Sequence, residues 1–221
     1  LAVPLVAKQE IEPDVRTNAT PFTGRLYVLL MDDVNVDAPN TATARQAARA
    51  FVEGQLRPAD LAAVVCTSGQ RGASQDFTSN RQALLSAIDR FMGRSARSAT
   101  LSRIDDYAIT SLRPARVGER DDVGTTNDSG VTARLYNANI TLTTIRRLSE
   151  TLAAVRGRRK AVILFSEGLA ATISGLTGGR TPDTGTSGDT QRQARDAIAA
   201  AIRANVTIYG VSPRGLSLAG G

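Results

Sequence analysis

Arg25-Leu-Tyr-Val-Leu-Leu-Met31, followed at once by Asp32-Asp33-Val34-Asn35-Val36-Asp37, is the stretch that decides the fold. A strand with one face in water alternates apolar and polar residues. A continuous apolar run ended by polar turn formers instead predicts a strand buried on both faces. Two more runs of this kind follow, Leu61-Ala-Ala-Val-Val-Cys66 and Lys160-Ala-Val-Ile-Leu-Phe165, and a last strand is read from Val206 to Val211.

Helical periods fill the gaps between these runs. Over residues 41–56, Ala44, Ala47, Ala48, Phe51 and Val52 fall on one face, and Pro58-Ala59-Asp60 ends the helix. Gln75-Asp-Phe-Thr78 reads as a short edge strand. Thr78 or Ser79 then caps a helix carrying Leu84, Leu85, Ile88, Phe91 and Met92, which Gly93 closes. A weaker helix is predicted over 101–112 and a long polar loop over 114–130. A long helix follows over 131–156, with Gly157 as its C-terminal cap. A Gly/Thr/Ser-rich loop over 170–190 precedes a helix over 191–204. Strands alternating with helices imply right-handed crossovers, and so a Rossmann-like α/β fold. Its sheet is doubly wound and mainly parallel, with helices on both faces and the first strand central. Residues 1–22 have no period and carry Pro4, Pro13 and Pro21, so they read as an arm or linker ahead of one domain over 23–221.

Composition removes several function classes. With no histidine, Ser–His–Asp and Cys–His catalysis and His-ligated zinc are excluded. The single cysteine, Cys66, lies inside an apolar strand, where a small buried hydrophobe is expected rather than a nucleophile. The net charge of +6 comes from scattered arginines interleaved with acids and is not accompanied by stacking aromatics, so no nucleic-acid partner is expected. The densest run, Arg156, Arg158, Arg159 and Lys160, falls where a helix ends, and cations there complement its dipole. No apolar stretch reaches the length of a membrane span.

In doubly wound sheets ligands bind beyond the carboxyl ends of the strands. Two strands end there in acids: the first in Asp32, Asp33, Asn35 and Asp37, the third in Ser166-Glu167-Gly168. Oxygen-only side chains gathered without His or Cys form the ligand set of a hard cation, Mg²⁺ or Ca²⁺. The same residues have a plainer reading. The aspartates and Asn35 end a strand and form a turn, Asp37 or Asn40 caps the next helix, and Glu167-Gly168 is a loop exit. Both readings stand on the sequence.

The ordered set of an apolar strand, the Asp33-x-Asn35-x-Asp37 loop, a helix, a second strand, a long helix and Gly157-Arg-Arg-Lys-Ala-Val-Ile-Leu-Phe-Ser-Glu-Gly168 resembles the von Willebrand factor A (VWA) family. With Leu56-Arg-Pro-Ala-Asp60 and Gln75-Asp-Phe-Thr78, it looks especially like a bacterial branch of A-related domains common in acidobacterial proteomes. The resemblance covers about Thr23 to Leu216. It implies a metal-ion-dependent adhesion site in which Asp33, Asn35 and Asp37 match the Asp-x-Ser-x-Ser loop and Glu167 matches the later Asp. Thr126, in Gly124-Thr125-Thr126-Asn127, matches the threonine, and Asp32 stands behind them. Asn35 and Asp37 replace both serines. The added carboxylates favour holding a divalent cation and disfavour an anionic ligand on it. The resemblance further implies a non-enzymatic, adhesion-type module that binds a protein partner. It implies an extracytoplasmic setting (periplasmic, cell-surface or secreted) and a final helix beyond Gly221.

Other classes fit less well. A receiver domain needs an Asp after its third strand and a Lys after its fifth. A haloacid-dehalogenase-type phosphatase needs Asp-x-Asp directly after the strand and a downstream lysine. The chain offers Asp33-Val-Asn35 and no lysine beyond Lys160, and no phosphate-binding glycine loop is present. An assembly subunit is the other reading, self-associating through its long loops and an arm that adds a strand to a neighbour's sheet.

Overall fold

A computed structural model describes residues 24–95, 129–167 and 185–213. Outside them lie the arm at 1–22, the helix expected over 101–112, all but the last two residues of the loop at 114–130, Thr126 included, most of the loop at 170–190, and the chain after 213. The described elements are β1 (Leu26–Met31), α1 (Thr41–Gly54), β2 (Leu61–Cys66), β3 (Gln75–Thr78), α2 (Arg81–Arg90), α3 (Ser129–Ala153), β4 (Lys160–Phe165), α4 (Gly185–Arg203) and β5 (Val206–Val211).

They form one five-stranded sheet in the order β3-β2-β1-β4-β5, with β1 in the middle as its sequence predicts. Only β3, at the edge, is antiparallel. The lack of alternation in β1 now has its cause. Tyr27, Leu29 and Met31 pack on the α1/α2 side, while Leu26, Val28 and Leu30 pack on the α3/α4 side. Every β1 residue is buried, and each large side chain removed from water contributes about 1.5–3 kcal/mol. The strands run in step, with Met31 opposite both Cys66 and Phe165. Residues 32, 67 and 166 therefore emerge at one edge.

Element ends depart from the sequence reading where tertiary contacts decide them. Asn80, not Thr78 or Ser79, caps α2, its side chain accepting from Gln82 N and Ala83 N. Thr78 Oγ instead accepts from Asn80 N. Helix α2 stops at Arg90, so Phe91 is buried beyond its end and Met92 points outward. Gly93 does not cap the helix. It lies against the loop after β1, where an added Cβ would meet Val36 O at 2.5 Å. Gly157, at φ +75°, turns the chain between α3 and β4. The α3 carbonyl end is served by the buried Lys160, whose Nζ donates to Leu152 O (2.9 Å) and Val155 O (2.7 Å). A cation there satisfies orphan carbonyls and opposes the helix dipole. Helix α4 begins at Gly185, within the stretch read as loop.

At the foot of β1 the chain enters through a tight crossing. A Cβ on Gly24 would fall 1.6 Å from Ala59 O. The buried carboxylate of Asp60 accepts from Arg25 N (2.7 Å) and Arg57 N (3.0 Å). The obstacle is backbone, so Gly24→Ala forces the crossing apart. We expect a loss of about 1–3 kcal/mol in urea unfolding, and an unchanged midpoint would show that the crossing is not tight.

Candidate functional site

The carboxyl edge of the sheet is built around Asp32, which is fully buried. Its position is fixed because its own N–H donates to Phe165 O (3.0 Å), while Asn35 N and Val36 N turn back onto its carbonyl. Three neutral donors from three elements meet its carboxylate. Ser166 Oγ donates to Oδ2 at 2.5 Å, and Asn35 Nδ2 donates to Oδ2 at 2.8 Å. Thr141 Oγ, from the middle of α3, lies 3.0 and 3.1 Å from the two oxygens. Asn35 Nδ2 also reaches Thr141 Oγ at 3.0 Å, which closes the ring. Burial pushes the Asp32 carboxyl above its ordinary value, opposed by hydrogen bonds from Ser166, Asn35, Thr141 and Thr67.

Asp33 turns the other way. Ser68, after β2, donates its N–H (2.9 Å) and its Oγ (2.5 Å) to the two Asp33 oxygens. Arg94, mostly exposed, stands 4.0 Å from the same carboxylate. Arg94 N donates to Asp33 O (2.7 Å) and Ser95 N to Val36 O (3.2 Å), so 91–95 braces the acidic loop. Neither Asp37 nor Asn40 caps the following helix through its side chain. Asn40 Nδ2 donates to Glu167 Oε2 at 3.1 Å, joining the first strand's loop to the third's. Asp37 and Glu167 are both buried.

The sequence-derived set is thus divided. Asn35 joins Asp32, Asp33 joins Ser68, and Glu167 joins Asn40, while Thr126 lies outside the described residues. Among the described residues no three carboxylates or thiols are gathered as a metal would need. The threonine that meets the acidic loop is Thr141. Its signal in the sequence was a polar residue on the apolar stripe of α3, between Ala138 and Leu142–Ile145, all buried. Ser68 gave no motif and Ser166 was read only as the start of Ser166-Glu167-Gly168, because only the folded sheet edge brings them to an aspartate. Cys66 is buried, with its thiol pushed up to about 12 chiefly by desolvation and secondarily by Asp33, and is no nucleophile at neutral pH.

Fold and strand-end cluster together define a doubly wound α/β domain with its polar cluster at the carboxyl edge of a mainly parallel sheet. The crystal structure of the SpRpn10 VWA domain is similar over 86% of this chain and 89% of that one, at 10% sequence identity and a TM-score of 0.30. No family model matches the chain, and no curated protein matches it.

Two outcomes follow for Asp32. Thr141→Val removes a donor from a buried carboxylate, which should cost about 1–3 kcal/mol in urea unfolding; a loss below about 0.5 kcal/mol would show the ring to be slack. For pH, a folded carboxyl held above its unfolded value binds its proton more tightly in the native state. Its contribution is therefore fully present below the unfolded value near 4 and is lost as pH rises through the folded one. Between pH 7 and pH 4, the melting temperature of the wild type should gain on that of Asp32→Asn as the solution is acidified. A difference that is flat or of opposite sign would contradict the assignment.

Proposed function

We propose that the domain is a non-catalytic protein-binding module that engages its partner with the loops above the carboxyl edge of the sheet. The supporting observation is that three of these loops are tied down from below. The 32–40 loop is held through Asp32 to Thr141 and Ser166, the 67–70 turn through Ser68 to Asp33, and 91–95 through Arg94 N to Asp33 O. Loops ordered before binding lose little conformational entropy when a partner docks, and binding residues concentrate on loops held by a rigid scaffold. The absence of histidine and the buried, undissociated Cys66 favour binding over turnover.

The donor set argues for a metal-independent surface. Asp32 and Asp33 are each engaged on both oxygens by N–H or O–H groups, which a cation would have to displace. This supports a reading in which Asp32 and Asp33 act as acceptors that shape the loops rather than as ligands of Mg²⁺ or Ca²⁺. Thermal melts in EDTA, Mg²⁺ and Ca²⁺ should coincide. A rise that grows with ion concentration, lost in Asp33→Asn/Glu167→Gln, would restore the metal reading.

The binding surface itself is tested with a photo-crosslinking residue at Gln70, exposed beside Ser68, and at Arg147, exposed on α3 far from the edge. In the producing cell, a discrete polypeptide adduct should form from Gln70 and not from Arg147. Equal adducts from both positions, or none from Gln70, would count against a loop-edge interface.

A further inference from the structure

The opposite end of the sheet carries a second feature. A trough of about 890 Å³ opens at the foot of β1 on the α1 side. Tyr27, Phe51, Ala161, Ile163 and Tyr209 line it, from β1, the end of α1, β4 and β5. Among the described residues no helix covers β5 on this face: α4 packs on the other side, against Val206 and Ile208. Tyr209 is left 55% exposed on that face of β5. Arg25, Arg57 and Arg159 also line the trough, and no acidic residue does. None of the three forms an ion pair within 4.0 Å among the described residues. Asp60, at this foot, is buried and accepts from the backbone N–H groups of Arg25 and Arg57.

We propose that this trough is the docking site of the chain's own amino-terminal arm, through Glu10-Ile11-Glu12-Pro13-Asp14-Val15. Three properties single out this occupant. It alternates acids at 10, 12 and 14 with apolar residues at 11, 13 and 15, which is the pattern of an extended segment with one face for an apolar floor. Its three carboxylates complement the three arginines. The arm also joins the domain at Gly24, clamped against Ala59, next to Arg25 and Tyr27 of the trough wall. The eight residues 16–23 span at most about 28 Å, ample for a return to a trough that begins beside Gly24, and they include the turn formers Asn18 and Pro21. Tethering makes the encounter intramolecular, so weak contacts suffice.

The test uses the full chain. Cys66 is buried and undissociated at neutral pH, so a cysteine introduced as Gln9→Cys takes a paramagnetic tag selectively. Backbone signals of Ala161, Ile163 and Tyr209 should lose most of their intensity, while those of Leu84 and Ile88, on α2, keep theirs. Glu10→Arg/Glu12→Arg/Asp14→Arg should restore the lost intensity, and adding Arg25→Glu/Arg57→Glu/Arg159→Glu should abolish it again. Unbroadened trough signals in the wild-type arm, or broadening indifferent to the charge reversal, overturn the proposal. Broadening of an untagged, isotope-labelled copy by a tagged unlabelled one also overturns it, and assigns the trough to a second molecule. Trough amides protected from exchange beside an arm that leaves them unbroadened overturn it as well, and assign the cover to the chain after 213.

Discussion

One buried carboxylate sets the terms for the rest of the domain. Asp32 ends the central strand, where its backbone N–H is already committed to β4, and its side chain has no exposure to water. A charge in that position is tolerated only if hydrogen-bond donors replace the lost solvent. Those donors come from the loop that follows (Asn35), from the strand end beside it (Ser166) and from the middle of a helix 109 residues on (Thr141). Meeting the need of one side chain thus fixes the register of α3 over the sheet and the exit of the chain from β4.

The two ends of the sheet consequently differ in character. At the carboxyl edge, Asp32 and Asp33 face inward and are met by hydroxyls and amides, so the loops above are shaped by them. At the foot, one acid (Asp60) is spent in the same way on main-chain N–H groups, and the arginines around it stay turned outward along an apolar wall. A preformed loop surface suits a folded partner, whereas a cationic trough with an apolar floor suits an extended acidic strand. The same sheet supplies both because its strands run parallel, β3 apart: the parallel strands start at one end and stop at the other.

The legible part of the fold was the part governed by burial alone. β1, β2 and β4 could be read because helices on both faces erase alternation, and an unbroken apolar run is visible without any partner. Residue-level roles at the site were less legible, because they depend on which donor the fold brings near. The spacing of Asp33, Asn35 and Asp37 suggested three ligands on one loop, yet the backbone turn after Met31 sends Asp32 inward and Asp33 sideways to Ser68. Thr141 was hidden inside a helical stripe whose other members are apolar. Helix ends behaved similarly: Asn80 outcompeted Thr78 as a cap because Thr78 faces the buried side of β3 and serves Asn80 N.

The claim that Asp32 is a protein-satisfied, metal-independent hub is tested most directly at its own carboxyl carbon. With the chain labelled at aspartate carboxyl carbons and the Asp32 signal assigned by Asp32→Asn, its resonance is followed through a pH titration with and without millimolar Mg²⁺ or Ca²⁺. The midpoint should lie above that of an exposed aspartate, and neither ion should move the chemical shift at pH 7. An ordinary midpoint, or a saturable ion-induced shift of the Asp32 signal, would contradict the claim.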